Sequence, residues 1–406
     1  MKRVAITGLG IYSCIGTCLD QVKDSLYKGK SGIVLCEDRL QYGYKSALTG
    51  FLKEPNLKDC LDRRQRICLS QQGEYAYLST LEALKTAGID TDYFEKNSVG
   101  IIFGNDSSMQ PIVETCKKME QEHDTQRIGS AKVFQSINST VSMNLSTIFK
   151  LKGVNFSLSA ACASASHAIG TAAMFIRSGL QDMIICGGAQ EVNLYSVMSF
   201  DALGVFSSMQ QSPQKASRPF DRDRNGLVPS GGAATLVLED MDKAKKRGAK
   251  IYGEIIGYGF SSSGGKITEA NPESEVLAIE NALKDSQMQL SDIDYINAHA
   301  TSTQEGDKAE AMALYKVFGD KMPMVSSTKS MTGHECWMSG ASEVVYSLLM
   351  MHNDFLAPNI NFENPDQETS KLNLITQTCQ KQTNCFMTNS FGFGGTNAVL
   401  IVKKIN

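Results

Sequence analysis

From about residue 250 this chain starts again, and that recurrence limits its fold more than any other feature. Glu254–Gly259 (EIIGYG) has the apolar, glycine-punctuated character of Ala5–Gly10 (AITGLG). Asp292–Ala298 (DIDYINA) stands in the second half much as Val99–Gly104 (VGIIFG) stands in the first. Near-continuous apolar runs of that length read as strands covered on both faces. Between them lie helical patterns. Tyr77, Leu81 and Leu84 mark one buried stripe, with Gly88 as its C-cap. Val276, Ile279 and Leu283 mark another. The chain therefore reads as an α/β protein of two β-α-β halves in related order, residues 1–250 and 251–406. This is weak internal symmetry, not a solenoid repeat.

Smaller signals fill in the first half. Lys2–Gly10 reads as a strand ending in a glycine turn. Thr17-x-x-Asp20 resembles a capping box, opening a helix through Val22 and Leu26 that stops near Gly29. The Gly8–Gly10 pair lacks the G-x-x-G continuation, and no acidic residue closes a second strand at the right distance. A dinucleotide loop is thereby rejected. Val141, Leu145 and Ile148 give a further helix, ended by Gly153, and Asp182–Gly188 (DMIICGG) gives another buried strand. Residues 217–239 form a polar loop running into a strand. Its alternating Arg and Asp residues point to internal salt bridges.

Composition excludes several function classes. A net charge of −3 over 406 residues is not that of a strongly basic nucleic-acid binder. No apolar run approaches the roughly 18 residues of a membrane span. The 11 cysteines are odd in number and lack CxxC or Cys/His metal spacing. With no signal peptide read at the start, reduced thiols in a cytoplasm are expected.

Val154–Ala173 (VNFSLSAACASASHAIGTAA) carries the first chemistry. It reads as a strand, a small-residue turn and a helix, with Cys162 at the turn. A thiol there faces the unpaired N–H groups of a helix start, an arrangement that lowers a cysteine pKa. Ala160, Ala161, Ala163, Ser164, Ala165 and Ser166 leave room for a close neighbour or a substrate. On this stretch alone a buried structural Cys would be favoured.

Three later segments change that weighting. His299 opens HATSTQEGD, where Asp307-x-x-Glu310 is expected to cap a helix. Lys329 and His334 lie in VSSTKSMTGHE, and Gly392–Gly395 make a glycine-dense turn between two strands. Each places reactive groups at the end of an apolar strand, where α/β folds assemble sites. A thiol, two histidines and backbone N–H groups suit acyl chemistry. The thiolate accepts an acyl group, the turn offers an oxyanion hole, and neutral histidines hold a carbonyl that becomes an enolate. A Cys/His hydrolase needs only one His with an orienting Asn or Asp.

ACASASHA, NAHATSTQEGD, STKSMTGH and NSFGFGGTN resemble, in order, the four signature segments of the β-ketoacyl-acyl carrier protein synthases of elongating, Cys-His-His type. The likeness runs from VAITGLG to FGFGGTNAVL, essentially the whole chain. It implies a thiolase-like fold of two pseudo-symmetric fused halves in a layered αβαβα arrangement, usually a homodimer. It implies that Cys162 takes the acyl chain as a thioester, that His299 and His334 hold the malonyl carbonyl and promote loss of carbon dioxide, and that Lys329 tunes His334. The N–H groups of Cys162 and Phe393 would form the oxyanion hole, with Phe393 gating the acyl pocket. Thr301 and Thr303 would bind the phosphopantetheine arm, which arrives on acyl carrier protein. Phe391 and Gly394 would contact substrate, and Glu343 and Asp307 would belong to a structural network. His167 also matches the family pattern, with packing as its expected role. Arg63, Arg64 and Arg66 would dock the acidic carrier protein, joined by Arg127 and Lys132. No metal, nucleotide or flavin is called for.

The departures lie around the pocket. Ala300 replaces the family's Gly, and Gln304–Glu305 replace Pro–Leu. Ser230–Gly231 replace Gly–Glu, and the segment after Arg66 is altered. Glu335, Cys336, Trp337, Met338, Ser339 and Gly340 replace LLGAAG, so the only Trp stands where the family has Gly. The family likeness implies fatty-acid or related biosynthesis, and the reshaped pocket points to a specialised synthase of polyene or polyketide-like chains rather than the housekeeping fatty-acid enzyme. A non-condensing, chain-length-factor-like partner subunit of a heterodimer is the alternative, and such subunits typically lose the nucleophile. A thiolase would need a second Cys in FGFGGTN. A decarboxylase-only or hydrolytic variant stays open.

Overall fold

The structure is a computed structural model that describes residues 1–405. Its centre is a sheet of ten strands: β1 (Val4–Ser13), β2 (Gly100–Gly104), β3 (Asn155–Leu158), β4 (Met183–Gln190), β5 (Gly232–Asp240), β6 (Gly253–Ser262), β7 (Tyr295–Asn297), β8 (Met324–Ser326), β9 (Cys385–Gly392) and β10 (Thr396–Lys403). The spatial order is β8-β7-β9-β10-β6-β1-β5-β4-β2-β3. Counted outward from the β6–β1 seam, both halves follow one rule: first strand, fifth, fourth, second, third. The seam itself is narrow, with Ala5 opposite Glu254 and Ile6 opposite Gly253.

Seven helices place the layers: α1 (Leu19–Lys28), α2 (Gln71–Ala87), α3 (Thr140–Phe149), α4 (Ser164–Arg177), α5 (Pro272–Ser286), α6 (Gln304–Phe318) and α7 (Ser339–His352). α4 and α7 pack on each other and touch strands of both halves, whereas α2 covers β1 and β5 and α5 covers β6 and β10. The result is the layered αβαβα, thiolase-like arrangement. The central pair can lie inside because of its sequence. α4 is rich in buried Ala, and α7 is apolar almost all round, as a helix with no solvent face must be. A Cβ on Gly340 would lie 2.0 Å from Ser166 Oγ, so a glycine is needed where the two helices touch.

Local expectations need three corrections here. β1 does not stop at Gly10 but continues to Ser13. Gly8 and Gly10 are there for α2, not for a turn: a Cβ would lie 2.3 Å from the Ala83 carbonyl oxygen and 1.9 Å from that of Ser79. Thr17 does not cap α1. Its N–H and hydroxyl both donate to Gln21 Oε1, at 3.0 and 3.2 Å, and Cys18 precedes the first turn. Gly29 ends that helix at φ 60° as expected. α3 ends at Lys150, φ 55°, rather than at Gly153, which instead packs close against Gly100.

The Arg/Asp loop is salt-bridged as its sequence implies. Asp221 accepts from Arg218 at 3.0 Å and from the N–H groups of Glu363 and Asn364, while Arg224 pairs with Asp366 at 2.8 Å. Two distant stretches are so clamped beside the site. Among the described residues, no helix is long and apolar enough to cross a membrane.

Candidate active site

β3 delivers the chain into a tight turn, Ala161–Ala163, that opens α4. Ala161 takes φ +46°, a strained value for an L-residue. The turn holds because its polar groups are met. Asp106 Oδ2 accepts the Ala161 N–H at 3.1 Å, and Ser164 Oγ accepts the Ala160 N–H at 2.8 Å. The turn is closely packed: a Cβ on Gly392 would sit 3.2 Å from the Cys162 nitrogen. Cys162 is buried, with the backbone N–H groups of Phe393 and of Cys162 itself directed at its sulfur.

The expected lowering of the Cys162 pKa is overturned. Burial pushes the thiol up to about 11, against the opposing pull of the Lys329 charge and those two N–H groups. Desolvation of a thiolate outweighs the few dipoles the helix start can bring to bear.

His334 Nε2 lies 3.0 Å from Cys162 Sγ. Its Nδ1 receives the Cys336 N–H at 3.3 Å and meets Ser339 Oγ at 3.2 Å. A backbone N–H can only donate, so Nδ1 is the acceptor and the ring proton sits on Nε2, facing the sulfur. His299 stands beside it, ring centroids 5.5 Å apart and planes at 87°. The sulfur and one nitrogen of each ring all lie within 4.8 Å of one another. Burial, then the Lys329 charge, drives His334 down to about 3 and His299 well below its ordinary value. Both imidazoles are therefore neutral near pH 7. A protonated Nε2 offers hydrogen bonds rather than a metal lone pair.

Behind the pair lies a layer of buried acids. Glu310 accepts the N–H groups of His299 (2.9 Å) and Ala300 (2.7 Å) and bonds Asn389. Asp307 accepts from Thr301 at 3.0 Å, Ser302 at 3.1 Å and Phe220 at 2.8 Å. The two acids therefore do not form the capping box expected of Asp307-x-x-Glu310: they lie buried within α6 and clamp the loop that carries His299. Lys329, fully buried, pairs with Glu343, whose other oxygen accepts from Thr388 at 3.1 Å. Burial raises Glu343 to about 7 against the pull of Lys329.

A cavity of about 370 Å³ opens on this group and is lined by Cys162, His299, His334, Thr301, Thr303, Phe391 and Phe393. Thr301 and Thr303 share a hydroxyl contact of 3.1 Å. Gly394 does not line the cavity, and its N–H donates to the Ile267 carbonyl at 2.7 Å. His167 bonds the Tyr258 hydroxyl at 2.6 Å, and burial lowers its pKa to about 4. The arginines are set apart from the cavity on a short helix, Arg63–Cys68, with Arg63 and Arg64 exposed and Arg66 half-buried. Arg127 and Lys132 are held by Glu122 (2.7 Å) and Glu114 (2.6 Å). Sequence reasoning missed Asp106 and Phe200, which lines the cavity, and gave Ser339 no role toward His334. Asp106 alone left a signal, as a polar residue just past an apolar strand.

Comparison with known proteins agrees with this geometry. Residues 1–244 match the family model for the N-terminal domain of beta-ketoacyl synthase and residues 252–363 that for its C-terminal domain. The chain is 40% identical over 409 residues, the whole of both chains, to 3-oxoacyl-[acyl-carrier-protein] synthase 1 of Haemophilus influenzae. A crystal structure of a beta-ketoacyl synthase from Burkholderia phymatum superposes with a TM-score of 0.95 at 32% identity, covering both chains fully. A solved type II PKS acyl-carrier protein in complex with its ketosynthase gives 0.89 at 26%, again over both full chains.

Proposed function

The chain belongs to the β-ketoacyl synthase family and is a condensing ketosynthase, like its full-length relatives, and from that premise we propose the following division of labour. Cys162 as thiolate attacks an acyl thioester carried by acyl carrier protein. The carrier's phosphopantetheine thiol leaves and takes up the proton, and the acyl group stays on the sulfur. Malonyl carrier protein then binds, its thioester carbonyl held by His299 and by the His334 Nε2–H. The carboxylate carbon–carbon bond breaks, carbon dioxide departs, and the electron pair moves into an enolate stabilised by those hydrogen bonds. The enolate carbon attacks the acyl-Cys162 carbonyl. The N–H groups of Cys162 and Phe393 hold the oxyanion, the thiolate leaves, and a 3-oxoacyl product extended by two carbons departs on the carrier.

One observation carries this reading: the Cys162 sulfur at 3.0 Å from a histidine nitrogen that bears its proton, with a second neutral histidine alongside. Burial, helped by the Lys329 charge, keeps the histidines neutral. Thr301 and Thr303 bind the phosphopantetheine arm, Phe391 lines the acyl path and Phe393 gates it. Glu343 and Asp307 hold the frame, and Gly394 supplies turn geometry, at φ +77°. Arg63, Arg64 and Arg66 offer the basic surface for the carrier protein, a partner supported by the solved carrier–ketosynthase complex. A homodimer working in the cytoplasm completes the picture, in keeping with eleven free thiols. The halves 1–250 and 251–406 are products of one duplicated plan. The non-condensing partner-subunit reading is not favoured, since the nucleophile stands with both histidines.

The test is intact-mass analysis after incubation with a panel of acyl-carrier-protein thioesters, followed by malonyl carrier protein. The expected result is an adduct on the wild type, none on Cys162→Ala, and its release as β-ketoacyl product on malonyl addition. Absence of any adduct would sink the reading.

A further inference from the structure

The turn Cys336–Met338 that opens α7 repeats the turn Ala161–Ala163 that opens α4. Each is a single 3-10 turn. Each begins with a left-handed non-glycine residue, Ala161 at φ 46° and Cys336 at φ 48°. The two turns pack against one another. Trp337 therefore occupies in the second half the position that Cys162 occupies in the first, and both line one cavity. The device that presents a thiol in one half presents an indole in the other.

The indole is held at both ends. Its Nε1–H donates to Ser107 Oγ at 3.3 Å. Its backbone carbonyl presses on β4, where a Cβ on Gly188 would lie 2.5 Å away, so the turn has no room to withdraw into the sheet. Its ring meets Phe200 at 6.3 Å and 52°. Phe200 in turn lies nearly parallel to Phe206 (6.5 Å, 14°) and to Phe393 (6.3 Å, 16°). These spacings are those of aromatic contacts. A family position of glycine has become a rigid aromatic wall next to the nucleophile.

We propose that Trp337 is the specificity-determining residue of this site: it shuts the acyl end of the cavity, so that Cys162 takes up compact, flat acyl groups (conjugated or aryl) and rejects long saturated chains. This rests on the reading that Cys162 is acylated. A flat conjugated chain gains dispersion against aromatic faces and has few rotors to freeze. A saturated chain that cannot pass the indole leaves its distal methylenes in water and forfeits roughly fourfold in binding for each.

The experiment compares the wild type, Trp337→Phe and Trp337→Gly with hexanoyl, hexadienoyl, cinnamoyl and dodecanoyl carrier-protein thioesters, reading initial loading rates by intact mass. Trp337 is the only tryptophan, so its emission in the wild type also reports what reaches the wall. The expected result is wild-type loading of hexadienoyl and cinnamoyl groups at least tenfold faster than dodecanoyl. The emission is quenched as the conjugated groups load. In Trp337→Gly the dodecanoyl rate rises at least tenfold, with Trp337→Phe between; the Phe variant also keeps the comparison usable should the Gly variant not fold. Equal wild-type rates for dodecanoyl and hexadienoyl, an unchanged ratio in both variants, or emission indifferent to loading would each overturn the proposal while leaving the synthase reading intact. Failure of every donor to load would overturn the synthase reading, and this proposal with it.

Discussion

At the scale of single residues, the thiol is where local and tertiary forces compete. A helix start favours a thiolate, but Cys162 is buried in an apolar surround that penalises the charge, and its pKa stands near 11. The sign of the pH dependence follows. The thiolate is the nucleophile, and well below its pKa its fraction grows about tenfold per pH unit. Alkylation of Cys162 by iodoacetamide, followed by peptide mass to separate it from exposed Cys60 and Cys116, is expected to quicken about tenfold per unit from pH 7 to 10. A plateau at or below pH 8 would mean that the dipole and Lys329 prevail over burial. His334 teaches the complementary lesson. Its identity was legible in STKSMTGH, but its proton position was not. That depends on the Cys336 N–H, which reaches Nδ1 only because the chain takes a left-handed step at Cys336.

At the scale of elements, glycines were misread where packing rather than turning explains them. AITGLG has the look of a strand closed by a turn. In fact β1 runs on, and α2 lies so close that Gly8 and Gly10 can carry no side chain. Gly10→Ala would put a methyl 1.9 Å from a backbone carbonyl that α2 cannot move without losing its own packing. The expected cost is about 3 kcal/mol or more, seen as a lower denaturant midpoint with an unchanged slope. A loss below about 0.5 kcal/mol would mean that α2 shifts freely on the sheet. Asp307 and Glu310 were misread for a related reason. Their spacing is that of a capping box, but the loop folds back over α6, so the carboxylates collect N–H groups from the His299 loop.

At the scale of the whole molecule, the duplication is plain in strand order, but the core is shared. One hydrophobic cluster takes in Ile169 and Leu236 from the first half and Val344 and Leu400 from the second. α7 has no solvent face once layered, and α4 keeps only a narrow one around Met174. Residues 1–250 expressed alone would expose that apolar interior. The expectation is a chain without a cooperative thermal transition and open to limited proteolysis, with recovery on co-expression of 251–406. An independent, cooperative melt of 1–250 would make the halves separable domains.

The sequence by itself determined the fold class and the family, and it singled out Cys162, His299, His334 and Lys329, which the structure brings together. Apolar periodicity and local turn chemistry are short-range properties, and the four motifs write their reactive residues out in order. Only the tertiary structure decided the protonation of the thiol and the imidazoles, the true work of Gly8, Gly10, Asp307 and Glu310, and the placing of Trp337 beside the nucleophile. Each of those depends on desolvation or close contact between segments far apart in the chain, and neither is encoded in the spacing of neighbours.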